Sequence, residues 1–99
     1  MNDRELEAIY QSKLMKKIEK LLPDSVTYKN DVRQGFPDLM VLNGNKWAML
    51  EVKAYEGAPE QPNQRYYVEE EFGKMSYAAF VYPENEEEVL RDLQSALAP

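Results

Sequence analysis

The chain has 99 residues, 43% hydrophobic and 30% charged, a net charge of −6, and neither cysteine nor histidine. That length suits one domain with a thin core, spanning residues 1–99, for which dimerisation would be a natural supplement. The composition excludes disulfides, thiol nucleophiles, serine–histidine triads and the usual zinc sites, so any metal must be a hard cation such as Mg²⁺ or Mn²⁺ held by oxygen.

The opening MNDRELEAIYQ is charged at once and does not read as a signal peptide. No apolar run approaches the ~18 residues of a membrane span, and the lack of cysteine fits the cytoplasm. Residues 3–22 form an amphipathic pattern, with Leu6, Tyr10, Leu14, Ile18 and Leu21 at helical spacing. Asp3 can cap its start and Pro23-Asp24 end it, while Lys13, Lys16, Lys17 and Lys20 fall largely on the other face. Residues 26–30 are short and β-prone. Gln34 to Pro37 reads as a turn. Residues 38–42 form a strand whose near-continuous apolarity predicts burial on both faces. Asn43-Gly44-Asn45 is a hairpin turn, because Asn and Gly tolerate positive φ, and residues 46–55 form the return strand. Gly57, Pro59 and Pro62 mark a loop. Residues 62–73 read as a second helix with Gly73 as its C-cap. Residues 76–82 read as a short interior strand. Pro83 starts a turn, and residues 84–97 form a last helix with glutamates at its beginning, as the helix dipole favours. The order α-β-β-β-α-β-α predicts an α/β fold with a small mixed sheet flanked by helices.

Three charged residues stand out within the predicted hairpin. Glu51 and Lys53 are two apart on the return strand and share a face, while Leu50 and Val52 face a core. Folding about a turn near residue 44 sets Asp38 across from residues 50–51. Asp38 and Glu51 can then hold one cation, with the carbonyl of Val52 as a further ligand. Such a cation could activate water and neutralise charge on a phosphate, with Lys53 stabilising that charge or positioning the water. The competing reading is a residue after proline that caps a turn, beside a surface ion pair. It fits poorly with Trp47-Ala48-Met49-Leu50, which marks the strand as interior, where unpaired charge is costly.

Pro37-Asp38 followed by Glu51-Val52-Lys53 resembles the PD-(D/E)xK nuclease superfamily. QGFPDLMVLNG with WAMLEVKAYEGAPEQPNQRYY is similar to its VRR-NUC branch of small nucleases, which also resembles phage-type and Holliday-junction resolvases. The resemblance covers about residues 5–82. It implies a restriction-endonuclease-like core and a Mg²⁺- or Mn²⁺-dependent DNA endonuclease, acting in the cytoplasm of a bacterial or phage-infected cell on duplex or branched DNA, or as a nicking enzyme. It implies Asp38, Glu51 and Lys53 as the catalytic set. Gln64 matches the glutamine that follows the lysine, with Gln61 as a rival. Glu7 matches the acidic residue of the first helix that completes the metal site, with Glu5 as a rival. A homodimer is expected, because one small chain offers little surface for a duplex.

The net charge counts against a nucleic-acid partner. Residues 1–55, however, carry nine basic and eight acidic side chains, against three basic and ten acidic in residues 56–99. Lys13, Lys16, Lys17, Lys20, Lys29 and Arg33 are candidates for phosphate contacts, the helical ones doubling as an ordinary polar face. Tyr66, Tyr67 and Tyr77 could stack on bases but suit core or dimer packing better. Glu69-Glu70-Glu71 and Glu86-Glu87-Glu88 should point away from a cleft that receives DNA. The alternative function is a non-catalytic module that keeps a nuclease fold and binds nucleic acid or protein. An acidic interaction protein whose motif is accidental would bind no metal.

Overall fold

The apolar spacing of the first segment does produce a helix, α1, over Asp3–Leu21. The structure, a computed structural model, describes residues 1–30 and 35–99. Asn2, not Asp3, caps α1: Asn2 is extended and its side chain accepts from the Glu5 amide at 2.9 Å, leaving Asp3 inside the first turn. Leu14, Ile18 and Leu22 are buried, and the four lysines of the helix are exposed. Leu6, placed on the apolar stripe by its spacing, is 42% exposed. In these first turns the half-buried side chain is Glu7.

Strand β1 (Val26–Lys29) pairs antiparallel with β2 (Leu39–Asn43), and β2 with β3 (Lys46–Val52), while β4 (Tyr77–Val81) runs parallel to β3. The sheet order is β1-β2-β3-β4. Asn43 faces Lys46, so the hairpin turns on Gly44 and Asn45, with Gly44 at φ +65°. Leu39 lies opposite Leu50, and one further step along the same register brings Asp38 opposite Glu51. Strand β3 ends at Val52 rather than at residue 55, although the Lys53 amide still donates to the Val81 carbonyl at 2.8 Å.

Strand β4 lies at an edge of the sheet, not in its interior. Its apolarity reflects packing on both faces. Tyr77, Ala79 and Val81 meet the main core, and Phe80 on the opposite face lies under Arg65. Strand β2 is likewise buried fully on one face only: Leu39 and Val41 are buried, Met40 and Leu42 half-buried. The main core joins these strands to α1 and to α3 (Glu86–Leu97) through Leu14, Ile18, Val89, Leu93 and Leu97.

The other face of the sheet, which carries Glu51 and Lys53, is covered by α2. This helix is π-helical over Tyr66–Phe72 and α-helical over Gly73–Met75. Gly73 caps the π-helical stretch but does not end the helix, which runs on to Met75: it has φ −64°, outside the left-handed region, and a Cβ there would crowd the Val68 carbonyl oxygen, five residues back. The wider turn thus brings backbone where only glycine fits. Ser76 ends the helix in extended backbone, and its hydroxyl donates to the Trp47 carbonyl. Tyr67 and Phe72 pack against Phe36, and Phe72 against Trp47. Among the described residues no helix is long and apolar enough to cross a membrane.

Gly35 and Gly44 both have positive φ, but a Cβ on Gly35 would come within 2.6 Å of the Pro62 carbonyl oxygen, whereas Gly44 has open space. A side chain is strained at either φ, and only Gly35 would also meet backbone. Gly44→Asn is therefore expected to lower stability by about 1 kcal/mol and Gly35→Asn by clearly more, read by urea denaturation.

Candidate active site

The sheet register and the start of α1 converge on one end of the sheet. One carboxylate oxygen from each of Glu7, Asp38 and Glu51 lies within 4.8 Å of the other two. Asp38 stands just before β2, and its position is fixed twice. Its Oδ2 accepts from the Val52 amide at 2.9 Å, and its carbonyl accepts from the Asn30 amide at 2.7 Å. Glu51 is fully buried, and Glu7 reaches the pair from two turns ahead of Leu14. Glu5 is exposed and outside this cluster.

Gln64 ties the buried charges together. Its Nε2 donates to Glu51 Oε2 at 3.0 Å, while its Oε1 accepts from Lys53 Nζ at 2.6 Å and from the Gln61 amide at 2.8 Å. Lys53 also donates to the Pro59 carbonyl at 3.0 Å and is only 5% exposed. Gln61 thus contributes its backbone, and Gln64 its side chain.

The remaining oxygen of Glu51, Oε1, is buried and has no hydrogen-bond partner among the described residues. Burial, followed by the charge and contact of Asp38, pushes the Glu51 carboxyl up to about 10, with Lys53 opposing and Glu7 adding to the rise. Burial and then Asp38 also raise Glu7, against the pull of Lys53 and Arg4. Three carboxylates this close ionise together only if a positive charge joins them. An undonated, buried oxygen in an all-oxygen cluster fits a hard divalent cation held by Glu7, Asp38 and Glu51. The Val52 amide is committed to Asp38, and its side chain lies in the core.

Arg4 was missed by the motif-based reading. It lines the cleft of about 200 Å³ beside the carboxylates, with Glu7, Lys53 and Gln64. Its signal was available, since Arg4 and Glu7 are three apart and share a helix face. The other basic candidates are dispersed. Lys13 and Lys29 are exposed, and Lys29 lies at the sheet end that carries Asp38. Lys17 is paired with Glu86 at 2.6 Å, about 15 Å along α1 from Glu7. Arg33 lies outside the described residues. Tyr67 packs within the aromatic cluster and Tyr77 against the main core, while Tyr66 is 54% exposed.

Two solved structures share this fold. One, a VRR_NUC domain, superposes with a TM-score of 0.68 at 25% identity, covering 87% of this chain and 95% of its own. The other, a VRR_NUC domain protein, gives 0.66 at 18% identity, covering 92% and 87%. No protein-family model matches the sequence, and no curated protein does. The fold is thus a VRR-NUC-like nuclease fold, and its sheet end carries an acidic cluster suited to a divalent metal.

Because the folded-state value for Glu51 is raised from 4.5 to about 10, the metal-free fold retains a proton that the unfolded chain loses. Its stabilising effect is complete below pH 4.5 and is lost as pH rises toward 10. In EDTA, wild-type stability should fall between about pH 5 and about pH 9 more steeply than that of Glu51→Gln. At about pH 8, Mg²⁺ or Mn²⁺ should raise the melting temperature of the wild type and leave Glu51→Gln unmoved.

Proposed function

We propose that this chain is a metal-dependent DNA endonuclease that hydrolyses phosphodiester bonds. One observation carries the reading: a buried glutamate with an undonated oxygen faces two further carboxylates beside a buried lysine. A merely structural glutamate would have its oxygens satisfied. A divalent cation, Mg²⁺ or Mn²⁺, would be held by Glu7, Asp38 and Glu51, with the Val52 carbonyl as an additional candidate ligand. When bound, it supplies Lewis acidity, which activates water and offsets the charge that builds on a phosphodiester.

The protein's own groups have distinct roles in this reading. Asp38 is held toward the cluster by the Val52 amide, so strand pairing presets the gap between two of the carboxylates. Lys53 commits two of its three ammonium donors, to Pro59 and Gln64. The third is assigned to a non-bridging phosphate oxygen, where it stabilises charge in the transition state. Gln64 is a positioning residue that holds both Lys53 and Glu51 in a single orientation. The substrate is proposed to be duplex or branched DNA, including four-way junctions. Arg4, Lys13 and Lys29 are proposed to meet backbone phosphates, and Lys17 and Arg33 would add to them if their charges reach the strand. Two copies related by a two-fold axis would present one site to each strand.

The test uses supercoiled plasmid and a synthetic four-way junction with Mg²⁺, Mn²⁺ or EDTA. Cleavage should require metal, and Lys53→Ala should lower the rate by ~10²- to 10³-fold. A folded wild type that cuts neither substrate with either metal would leave the non-catalytic binding module as the better reading.

A further inference from the structure

A second cleft, of about 240 Å³, shares Lys53 and Ala58 with the carboxylate cleft. Its walls include Tyr55, Arg65, Phe80 and Tyr82. Phe80 faces Glu51 in the register of β3 and β4, and residues so paired project from the same face about 4.8 Å apart. The cleft therefore begins one strand away from the proposed metal ligands.

Arg65 is built as a platform. Its guanidinium lies 4.7 Å from the centre of the Phe80 ring. Glu60 grips it through Nε, at 3.1 Å, and Nη2, while Glu69 binds Nη1 at 2.7 Å. Carboxylates along the edges and a ring beneath fix a planar group that has few ways to tilt. Its side chain is still 55% exposed. The two glutamates also neutralise it, so the cleft is poorly suited to a phosphate. A flat, uncharged, polarisable ligand suits it well. The volume falls below the ~300–1,000 Å³ of drug-sized sites, enough for one ring system without its sugar and phosphate.

We infer that this cleft takes one unpaired nucleobase, stacked on Arg65 and flanked by Tyr82, when the adjoining phosphate sits at the carboxylates. The inference rests on the nuclease reading above and narrows its substrate class to DNA with an unpaired nucleotide beside the cut. A base inside a continuous duplex keeps its own stacking and cannot enter without being extruded.

The experiment measures binding by fluorescence anisotropy at low salt with Ca²⁺, a hard cation that takes oxygen ligands. One labelled duplex carries a single unpaired nucleotide, and a second has an abasic residue at that position. Wild type should bind the first about ten-fold more tightly, as loss of one stacked base predicts. Arg65→Gln and Tyr82→Ala, in separate elements and each checked for folding by circular dichroism, should bring the ratio close to one. Equal affinity of the wild type for both duplexes, no binding of either, or a ratio unchanged in both folded variants overturns the inference. The same duplexes are then incubated with Mg²⁺ or Mn²⁺. Base-dependent binding without cleavage removes the nuclease reading and supports the base cleft, whereas cleavage without base-dependent binding removes the cleft alone.

Discussion

The site depends on one costly placement, a glutamate carboxylate carried fully into the protein at the end of a central strand. Burying a charge costs several kcal/mol unless it is paired, and among the described residues Glu51 receives one donor, from Gln64. The partial compensation explains the surrounding construction. Asp38 is fixed by backbone at close range, Lys53 is buried alongside, and Gln64 bridges the glutamate to the lysine. Without a cation the cluster relieves itself by holding a proton on Glu51. With one, all three carboxylates can ionise, so the same cost that weakens the metal-free fold tunes the site for a metal.

The sheet supplies the accuracy of this arrangement. A two-residue hairpin turn locks the register of β2 and β3. Continued one step beyond the ladder, that register faces Asp38 to Glu51, and the β3–β4 pairing sets Phe80 next to Glu51 on the other side. The three positions form one row across the sheet. A slip of one residue would send Glu51 into the apolar core against α1 and α3, at a cost that forbids the alternative. Backbone pairing thus determines both the carboxylate gap and the neighbouring aromatic cleft.

Part of the acidic excess is paired. Glu86 is bound to Lys17, Glu70 to Lys74, and Glu60 and Glu69 to Arg65. Exposed pairs of this kind contribute little to stability, and they leave the net charge at −6. Neither glutamate run lines either cleft, although Glu69 binds Arg65, which lines one.

Much of the architecture was legible because it rests on short-range rules. Helical spacing gave α1, Pro83 and the glutamates after it marked the start of α3, the Asn43-Gly44-Asn45 signal gave the hairpin, and strand alternation put Glu51 and Lys53 on one face away from the core. The edge position of β4 was not legible, because apolar residues on both faces read alike in a central strand and in a packed edge strand. The π-helical course of α2 escaped for a related reason. Gly73 looks like a helix stop until the approach of the Val68 carbonyl is seen. By itself the sequence determined the class of fold, the hairpin and the residue types at the sheet end, since these follow from periodicity and turn chemistry within about twenty residues. Only the tertiary structure decided that Glu7 rather than Glu5 meets Asp38, that Gln64 rather than Gln61 bridges Lys53 and Glu51, and that Arg65 is held beside the site. Those choices depend on the angle at which helices cross the sheet, and that angle is set by packing between segments far apart in the chain.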